Sequence, residues 1–189
     1  MLGLKDLAAI AAEHAVDLKA EVRPFDIAGQ VAFPTAQPVI MGVINLSADS
    51  WYRQSICTSV QAAVERGSEL RAQGATIIDI GAESTLGQAQ RVNDIEQQQK
   101  LLPVIKQLAS QGVIISAETY DVGVAKACLE AGAKVLNLTG TADSETIYRL
   151  AAEHDAAVIV CYVAGDNVRE VGNIPLDDDP IPRMADYFS

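Results

Sequence analysis

Five short apolar segments alternate with longer amphipathic segments along most of this chain, and this alternation limits the possible folds more than any other feature. The apolar segments lie at residues 39–44, 76–80, 113–117, 134–138 and 157–162. The intervening segments carry apolar residues at helical spacing, and Gly74 and Gly112 end two of them. Strands separated by amphipathic helices predict a parallel sheet with right-handed crossovers, which is an α/β fold.

Two features favour a (β/α)8 barrel of the TIM type over a Rossmann fold. Residues 73–80 and 131–138 repeat one pattern, a helix-ending glycine followed by a strand with one polar residue. No Gly-x-Gly-x-x-Gly motif follows any predicted strand. Because a closed barrel usually needs roughly 250 residues, we expect this chain to cover a lead-in and about five βα units.

Five strands leave an apolar sheet edge that must be covered. We therefore expect that the isolated chain is not a closed monomer. It would be completed by a second copy in a homodimer or by a missing C-terminal half of the barrel.

The first residues are predicted to precede the barrel. Residues 3–15 have apolar side chains at near-helical spacing, and residues 22–38 contain Pro24, Pro34 and Pro38 among short apolar pieces, which indicates a hairpin or an extended lead-in. We expect a helical segment at residues 1–21 and the barrel domain at residues 22–189. The first core strand, residues 39–44, is apolar throughout and is predicted to be buried on both faces.

Side chains suited to N-capping precede the predicted helices. Thr58 with Gln61 fits a capping box, and Asn93, Asp121 and Asp143 stand at the starts of later helices.

Composition excludes several classes of protein. The net charge of −11 disfavours binding to nucleic acid or to an anionic membrane. No apolar run approaches the ~20 residues that span a bilayer, and the start lacks a secretory signal pattern. Three cysteines without a Cys-x-x-Cys spacing are typical of a reduced cytoplasmic protein, and two histidines disfavour a catalytic triad or a histidine-rich metal site.

Polar side chains stand where the predicted strands end. They are Asn45, Asp79 with Glu83, Glu118 and Asn137, and the first strand is followed closely by Ser47, Asp49 and Ser50. Asn, Ser and Asp are also ordinary turn and cap residues, and cross-strand hydrogen bonds inside a barrel would satisfy such groups. The other interpretation is a small, hydrogen-bonding ligand at the carboxyl ends of the strands, where parallel α/β proteins bind ligands. Asp79 could instead hold a backbone amide at the same edge.

Four motifs in order resemble the dihydropteroate synthase (pterin-binding) family. They are Met-Gly-Val-Ile-Asn-Leu-Ser-Ala-Asp-Ser-Trp from residue 41, Ile-Asp-Ile-Gly-Ala-Glu-Ser-Thr from residue 78, Ile-Ser-Ala-Glu-Thr-Tyr from residue 115 and Gly-Ala-Lys-Val-Leu-Asn-Leu from residue 132. The resemblance covers residues ~22–189. It implies a βα barrel that joins a hydroxymethyl-dihydropterin pyrophosphate to p-aminobenzoate in folate biosynthesis, with Mg²⁺.

The resemblance also implies roles for particular residues. Asn45 would face the metal and the pyrophosphate, Glu118 and Asn137 would hydrogen-bond the pterin, and the loops at residues 46–55 and 84–90 would fold over the site. The substrate-binding residues are thus expected to be Glu118, Asn137, Asp79, Ser84, Thr85, Asp49 and Ser50. No catalytic residue is assigned.

The chain departs from the family pattern at several positions. Glu118 stands where the family usually has Asp, and Leu138 stands where it has the Asp of an Asn-Asp pair. Leu86-Gly87 replaces Arg-Pro, Ala48 replaces a Pro, and Cys161-Tyr162 replaces Met-His. The charged residues of the family's later strands would lie beyond Ser189. These departures favour one alternative, a non-catalytic or repurposed pterin-binding protein. A second alternative is a pterin- or folate-dependent methyltransferase, since corrinoid methyltransferases use a related barrel.

Overall fold

The computed structural model describes residues 3–21, 23–35, 37–163, 165–169 and 181–188. The chain divides into two compact units, Met1–Ala36 and Gln37–Ser189. The domain boundary drawn from the sequence between residues 21 and 22 stays a prediction. No helix in the described residues is both long and apolar enough to span a bilayer.

In its described residues the first unit contains an α-helix, a short 3-10 helix at Asp17–Lys19 and a hairpin. Helix α1 spans Leu4–Glu13, and strands β1 (Phe25–Ile27) and β2 (Val31–Phe33) pair antiparallel. Ala28 and Gly29, at the tip of the hairpin, have φ angles of 55° and 65°, the left-handed values that a tight hairpin turn requires. The N-terminal helix and the hairpin predicted from the sequence are confirmed.

In its described residues the second unit is a five-stranded parallel sheet with an α-helix after each strand. Its elements are β3 (Met41–Asn45), α2 (Val60–Ala72), β4 (Ile77–Gly81), α3 (Asp94–Ser110), β5 (Ile114–Thr119), α4 (Val122–Glu130), β6 (Val135–Leu138), α5 (Ser144–Glu153), β7 (Ala157–Val160) and α6 (Ile181–Phe188). The strand order β3-β4-β5-β6-β7 equals the chain order. In a Rossmann sheet the strand order reverses at the switch point. The continuous order found here therefore confirms the α/β architecture expected of a barrel.

The core lies between the sheet and its helices. Alternate strand residues point to the helices, and Ile44, Ile78 and Ile115 are completely buried there. The α3 residues of the same core include Ile105 and Leu108, both completely buried. Because one face of each strand packs in this way, the other face is left to line the site.

Two local predictions need correction. Strand β3 is not buried on both faces, because Met41 is 36% exposed and Val43 borders an open cavity. Helix α2 is capped by Ser59 rather than Thr58, since Ser59 Oγ accepts a hydrogen bond from Ala62 N at 3.1 Å.

The other three expected N-caps are at the residues that the sequence predicts. Asn93 Oδ1 accepts from Glu96 N, and Asp121 Oδ1 accepts from Val124 N, both at 2.9 Å. Asp143 is the N-cap of α5, but it has a φ of 57° and its side chain makes no capping bond.

Strand β7 ends the sheet. In the described residues no further strand pairs with its outer edge, and Ile159 and Val160 are 36% and 39% exposed. An apolar edge of this kind favours association with another strand or chain.

Candidate ligand site at the carboxyl ends of the strands

The strand register places four polar or small residues side by side. Asn45 pairs with Gly81, Gly81 with Glu118, and Glu118 with Asn137. One pleat earlier, Asp79 pairs with Ser116. Because side chains two apart lie on the same face of a strand, all of these residues belong to the face that points away from the helices.

These residues surround an open cavity of about 370 Å³, which we call the inner cavity. It is lined by Val43, Asn45, Ser50, Trp51, Tyr52, Asp79, Gly81, Glu83, Thr85, Glu118, Asn137 and Thr139. Six of the eight residues predicted from the sequence are in this set: Asn45, Ser50, Asp79, Thr85, Glu118 and Asn137. The predicted gathering of strand-end side chains is present in the structure, and their contact with substrate stays a prediction.

Asp79 lies at the bottom of the inner cavity and is buried. Its Oδ1 accepts a hydrogen bond from Ser116 Oγ at 2.6 Å, and its Oδ2 accepts one from Asn137 Nδ2 at 3.2 Å. Burial raises the pKa of Asp79, and the two hydrogen bonds partly oppose that rise. Asp79 therefore holds the amide of Asn137 in place. Its partners are side chains rather than the backbone amide that the sequence left as an alternative.

Glu118 lies between Gly81 and Asn137 at the level of the cavity. Its Oε1 accepts a hydrogen bond from Thr139 Oγ1 at 2.6 Å. Its Oε2 lies over Gly81, where a Cβ atom would be only 2.6 Å away. Burial raises the pKa of Glu118 to about 7, with a further contribution from the negative charges of Asp79 and Glu83. The carboxyl group can therefore exchange a proton near neutral pH.

Asn45 is oriented by the loop that follows β3. Its Nδ2 donates to Ser55 Oγ at 2.6 Å, and Ser55 Oγ in turn donates to the backbone oxygen of Tyr52 at 2.7 Å. This bond orients the amide of Asn45 and leaves its carbonyl oxygen and its second N–H for other partners.

A larger outer cavity of about 910 Å³ adjoins the inner one. One wall is the loop after β3, with Asp49, Ser50, Trp51 and Arg53, and the other wall includes Leu86 and Gln88–Gln90 of the loop after β4. Ser50 and Trp51 line both cavities.

Ser84 is the one predicted site residue that lines neither cavity. It is buried, and its hydroxyl donates to the backbone oxygen of Asp49 at 3.1 Å. Ser84 thus joins the two loops that form the walls of the outer cavity.

Glu83 forms a buried ion pair that sequence reasoning missed. Its Oε1 accepts from Val92 N at 2.8 Å and lies 3.2 Å from Arg169 Nη1. Its Oε2 accepts from the hydroxyl of Tyr120 at 2.5 Å. Burial and the neighbouring Glu83 raise the pKa of Tyr120 to about 12, so the tyrosine remains a hydrogen-bond donor.

The sequence-based set lacks several side chains that contact the carboxylates of the site, among them Ser116, Thr139 and Arg169. Ser116 and Thr139 stand two positions from Glu118 and Asn137, so strand alternation alone could have placed them on the same face. Arg169 lies in a loop outside every motif, and no pattern in the sequence indicates its contact with Glu83.

Parallel strands in chain order, with polar side chains gathered over their carboxyl ends, define a βα-barrel type of ligand-binding protein. Residues 41–189 match the model of the family described as "Pterin binding enzyme". The chain belongs to this family.

Individual relatives agree with this membership. The dihydropteroate synthase of Streptococcus pyogenes serotype M1 is 37% identical over 132 residues, which are 68% of this chain and 49% of the relative. The chain therefore spans about half the length of the curated relatives it matches.

Solved structures extend the comparison to the fold. Dihydropteroate synthase from Thermus thermophilus in complex with 4-aminobenzoate is 28% identical, with a TM-score of 0.70, and the match covers 87% of this chain and 58% of that one. The enzyme from Xanthomonas albilineans in complex with 7,8-dihydropteroate is 25% identical, with a TM-score of 0.67 over 88% of this chain and 57% of that one. These neighbours are TIM barrels, which confirms the predicted fold class.

Proposed function

We propose that this chain supplies the pterin-binding part of a dihydropteroate synthase-type transferase of folate biosynthesis. The observation that carries the proposal is the adjacent placement of Glu118 and Asn137 in the inner cavity, with Asp79 holding Asn137. The synthases named above, one of them bound to 7,8-dihydropteroate, support it.

The inner cavity suits the edge of a pterin ring. Such an edge presents an amino group and ring nitrogens as adjacent donors and acceptors. Glu118 offers the oxygen Oε2 beyond its bond to Thr139. Asn137 offers a second N–H beyond the one given to Asp79, and its Oδ1, which accepts from Cys161 Sγ at 3.7 Å, has a second lone pair.

The transfer step mainly requires that the two substrates are oriented and that the departing pyrophosphate is stabilised. The amine nitrogen of p-aminobenzoate would form a bond to the pterin methylene carbon, the carbon–oxygen bond would break, and pyrophosphate would leave with the electron pair. The amine nitrogen would release one proton to solvent. The outer cavity, which shares Ser50 and Trp51 with the inner one, is the proposed place for the aminobenzoate. Arg53 in its wall supplies positive charge there.

Magnesium is the proposed cofactor, and Asn45 is its proposed ligand. In the described residues no three His, Cys, Asp or Glu side chains form a cluster that could hold a metal. A single amide oxygen still fits Mg²⁺, because this ion commonly keeps several waters and binds through few protein ligands together with substrate phosphates. When bound, the ion would neutralise charge on the pyrophosphate.

A pterin-binding protein without catalysis is the second candidate. Leu86 and Leu138 favour it, because these apolar residues stand where the family pattern has charged ones, Leu86 directly after one matched motif and Leu138 at the end of another. The relatives described above are synthases, which argues against the methyltransferase alternative.

Cytoplasmic location and association with a second copy or another chain are further parts of the proposal. They rest on the cysteine pattern and on the exposed β7 edge.

Titration with 6-hydroxymethyl-dihydropterin pyrophosphate, with and without Mg²⁺, tests this function. We expect Mg²⁺ to strengthen binding to the wild-type chain, and to have little effect on Asn45→Ala, which lacks the proposed ligand oxygen. Gln107→Ala, on the exposed face of α3, is the matched amide control and should behave like the wild type. No affinity of the wild-type chain for the compound would overturn the proposal.

A further inference from the structure

We propose that Arg169 is a positioning residue that fixes the loop at residues 84–90 as a wall of the outer cavity. The identity of the substrate in that cavity rests on the function proposed above, whereas the ordering of the loop does not. The sequence has no cation directly after Thr85, and the structure brings a guanidinium to this loop from a distant part of the chain.

Arg169 contacts the loop at both ends. Its Nη1 donates to the backbone oxygen of Ser84 at 3.0 Å, and its Nη2 donates to the backbone oxygen of Ala89. The Arg169 side chain is only 3% exposed. Backbone carbonyls in a loop without regular structure need partners when they are buried, and the planar guanidinium serves two of them at once.

Glu83 completes the clamp and neutralises its charge. Its carboxylate lies 3.2 Å from Arg169 Nη1 and also accepts from Val92 N, just beyond the loop. Because the guanidinium is paired and lines neither cavity, Arg169 is placed to act on a ligand through the loop rather than by direct contact.

The backbone around Arg169 is itself anchored to the segment after β6. Val168 N donates to Thr139 O at 2.9 Å, and Thr141 N donates to Asp166 O at 2.8 Å. Gly140 permits this approach, since a Cβ there would lie 2.9 Å from Asp166 O. Arg169 is therefore presented from a pinned segment, which a positioning residue requires.

The loop that Arg169 holds contributes Leu86 and Gln88–Gln90 to the outer cavity. If the clamp is lost, the cavity loses a fixed wall, while the inner cavity keeps Glu118, Asn137 and Asp79. Binding of the aminobenzoate should therefore depend on Arg169, and binding of the pterin should not.

Hydrogen exchange measures the loop directly. In Arg169→Met we expect the amides of residues 84–92 to lose protection by about tenfold or more, while the strands keep theirs. Glu83→Gln, which keeps the shape of the side chain but removes its charge, should show a smaller loss in the same amides. Arg149→Met is the matched control, because its ion pair with Glu145 is exposed on α5, and it should leave the loop unchanged.

Calorimetry distinguishes a positioning role from a merely structural one, because it measures the affinity for each ligand separately. With the pterin site saturated, affinity for p-aminobenzoate should fall about tenfold in Arg169→Met, and affinity for the pterin alone should stay within about twofold. Unchanged exchange in residues 84–92 would overturn the clamp. Loosened exchange with unchanged aminobenzoate affinity, or an equal loss for both ligands, would overturn the positioning role. A wild-type chain that binds neither ligand would overturn the proposed function and the substrate assignment, and the exchange experiment would still decide the clamp.

Discussion

Asn137 Nδ2 donates to Asp79 Oδ2 at 3.2 Å although the two residues are on strands β6 and β4, which are separated by β5. Neighbouring strands are about 4.8 Å apart, so strands two apart are separated by roughly 9.6 Å in a flat sheet. The short contact requires these side chains to converge over the inner face, as they do on the concave side of a curved sheet. This convergence makes one polar cluster from three separate strands.

The Ser116 hydroxyl is expected to stabilise the fold through Asp79. In Ser116→Ala the buried carboxylate loses its 2.6 Å hydrogen bond, which should lower the free energy of unfolding by about 1–3 kcal/mol. Urea unfolding measures the change. Ser110→Ala, at the exposed end of α3, is the matched control and should change stability by less than about 0.5 kcal/mol. A similar loss in both variants would contradict this account of Asp79.

The stability of the chain should fall as the pH rises from about 4.5 to about 7. The pKa of Glu118 is raised from 4.5 to about 7 in the folded protein, so in this window the folded state binds a proton that the unfolded state has released. The contribution is fully present at low pH and is lost as the pH rises through the folded value, by up to about 3 kcal/mol.

Glu118→Gln isolates this contribution, because the amide cannot titrate and its Oε1 can still accept from Thr139. Unfolding free energies of the wild type and Glu118→Gln should converge at the acid end of the window and diverge toward neutral pH, with the variant then the more stable. Glu130→Gln, on the exposed face of α4, should follow the wild type. Parallel pH profiles for wild type and Glu118→Gln would be inconsistent with the raised pKa.

The exposed edge of β7 should cause association. Light scattering of the purified chain is expected to show species larger than a monomer, and Val160→Lys should reduce them because a charged edge strand disfavours strand pairing. Glu130→Lys, on an exposed helix face, should have no such effect. A compact monomer for the wild-type chain would contradict this expectation.

Much of the fold follows from the sequence because its signals are local. Apolar strand segments, helix-ending glycines and the caps at Asn93 and Asp121 each act over a few residues, and the structure has them where the pattern predicts. The sequence also predicts one shared edge for the polar strand-end residues, because parallel strands bring their carboxyl ends together. These residues are Asn45, Asp79, Glu118 and Asn137.

The remaining features depend on tertiary contacts. Ser59 rather than Thr58 caps α2, since either hydroxyl satisfies the sequence rule and the path of the loop decides between them. Ser84 turns away from the cavities to bind Asp49 O. The pairing of Arg169 with Glu83 joins residues 86 positions apart in the chain (169 minus 83), a separation over which no sequence period operates.

Turnover by these 189 residues alone should be undetectable. Negative charge builds on the pyrophosphate as it leaves, and its stabilisation needs positive groups. Arg169 is already paired with Glu83, and Arg53 is the one cation among the described residues that line the outer cavity. A coupled assay for dihydropteroate with the pterin pyrophosphate, p-aminobenzoate and Mg²⁺ checks this expectation, and measurable product from the purified chain would contradict it.

We expect a pterin to bind between Glu118 and Asn137, and calorimetric titration of the purified chain with a pterin measures this binding. We expect binding to the wild type, and affinities lower by about tenfold to a hundredfold in Asn137→Ala and Glu118→Ala, which corresponds to ~1.4–2.8 kcal/mol. Glu130→Ala should bind like the wild type, and circular dichroism should show that all variants are folded. Pterin affinity indifferent to both Asn137→Ala and Glu118→Ala would place the ligand elsewhere and contradict the account.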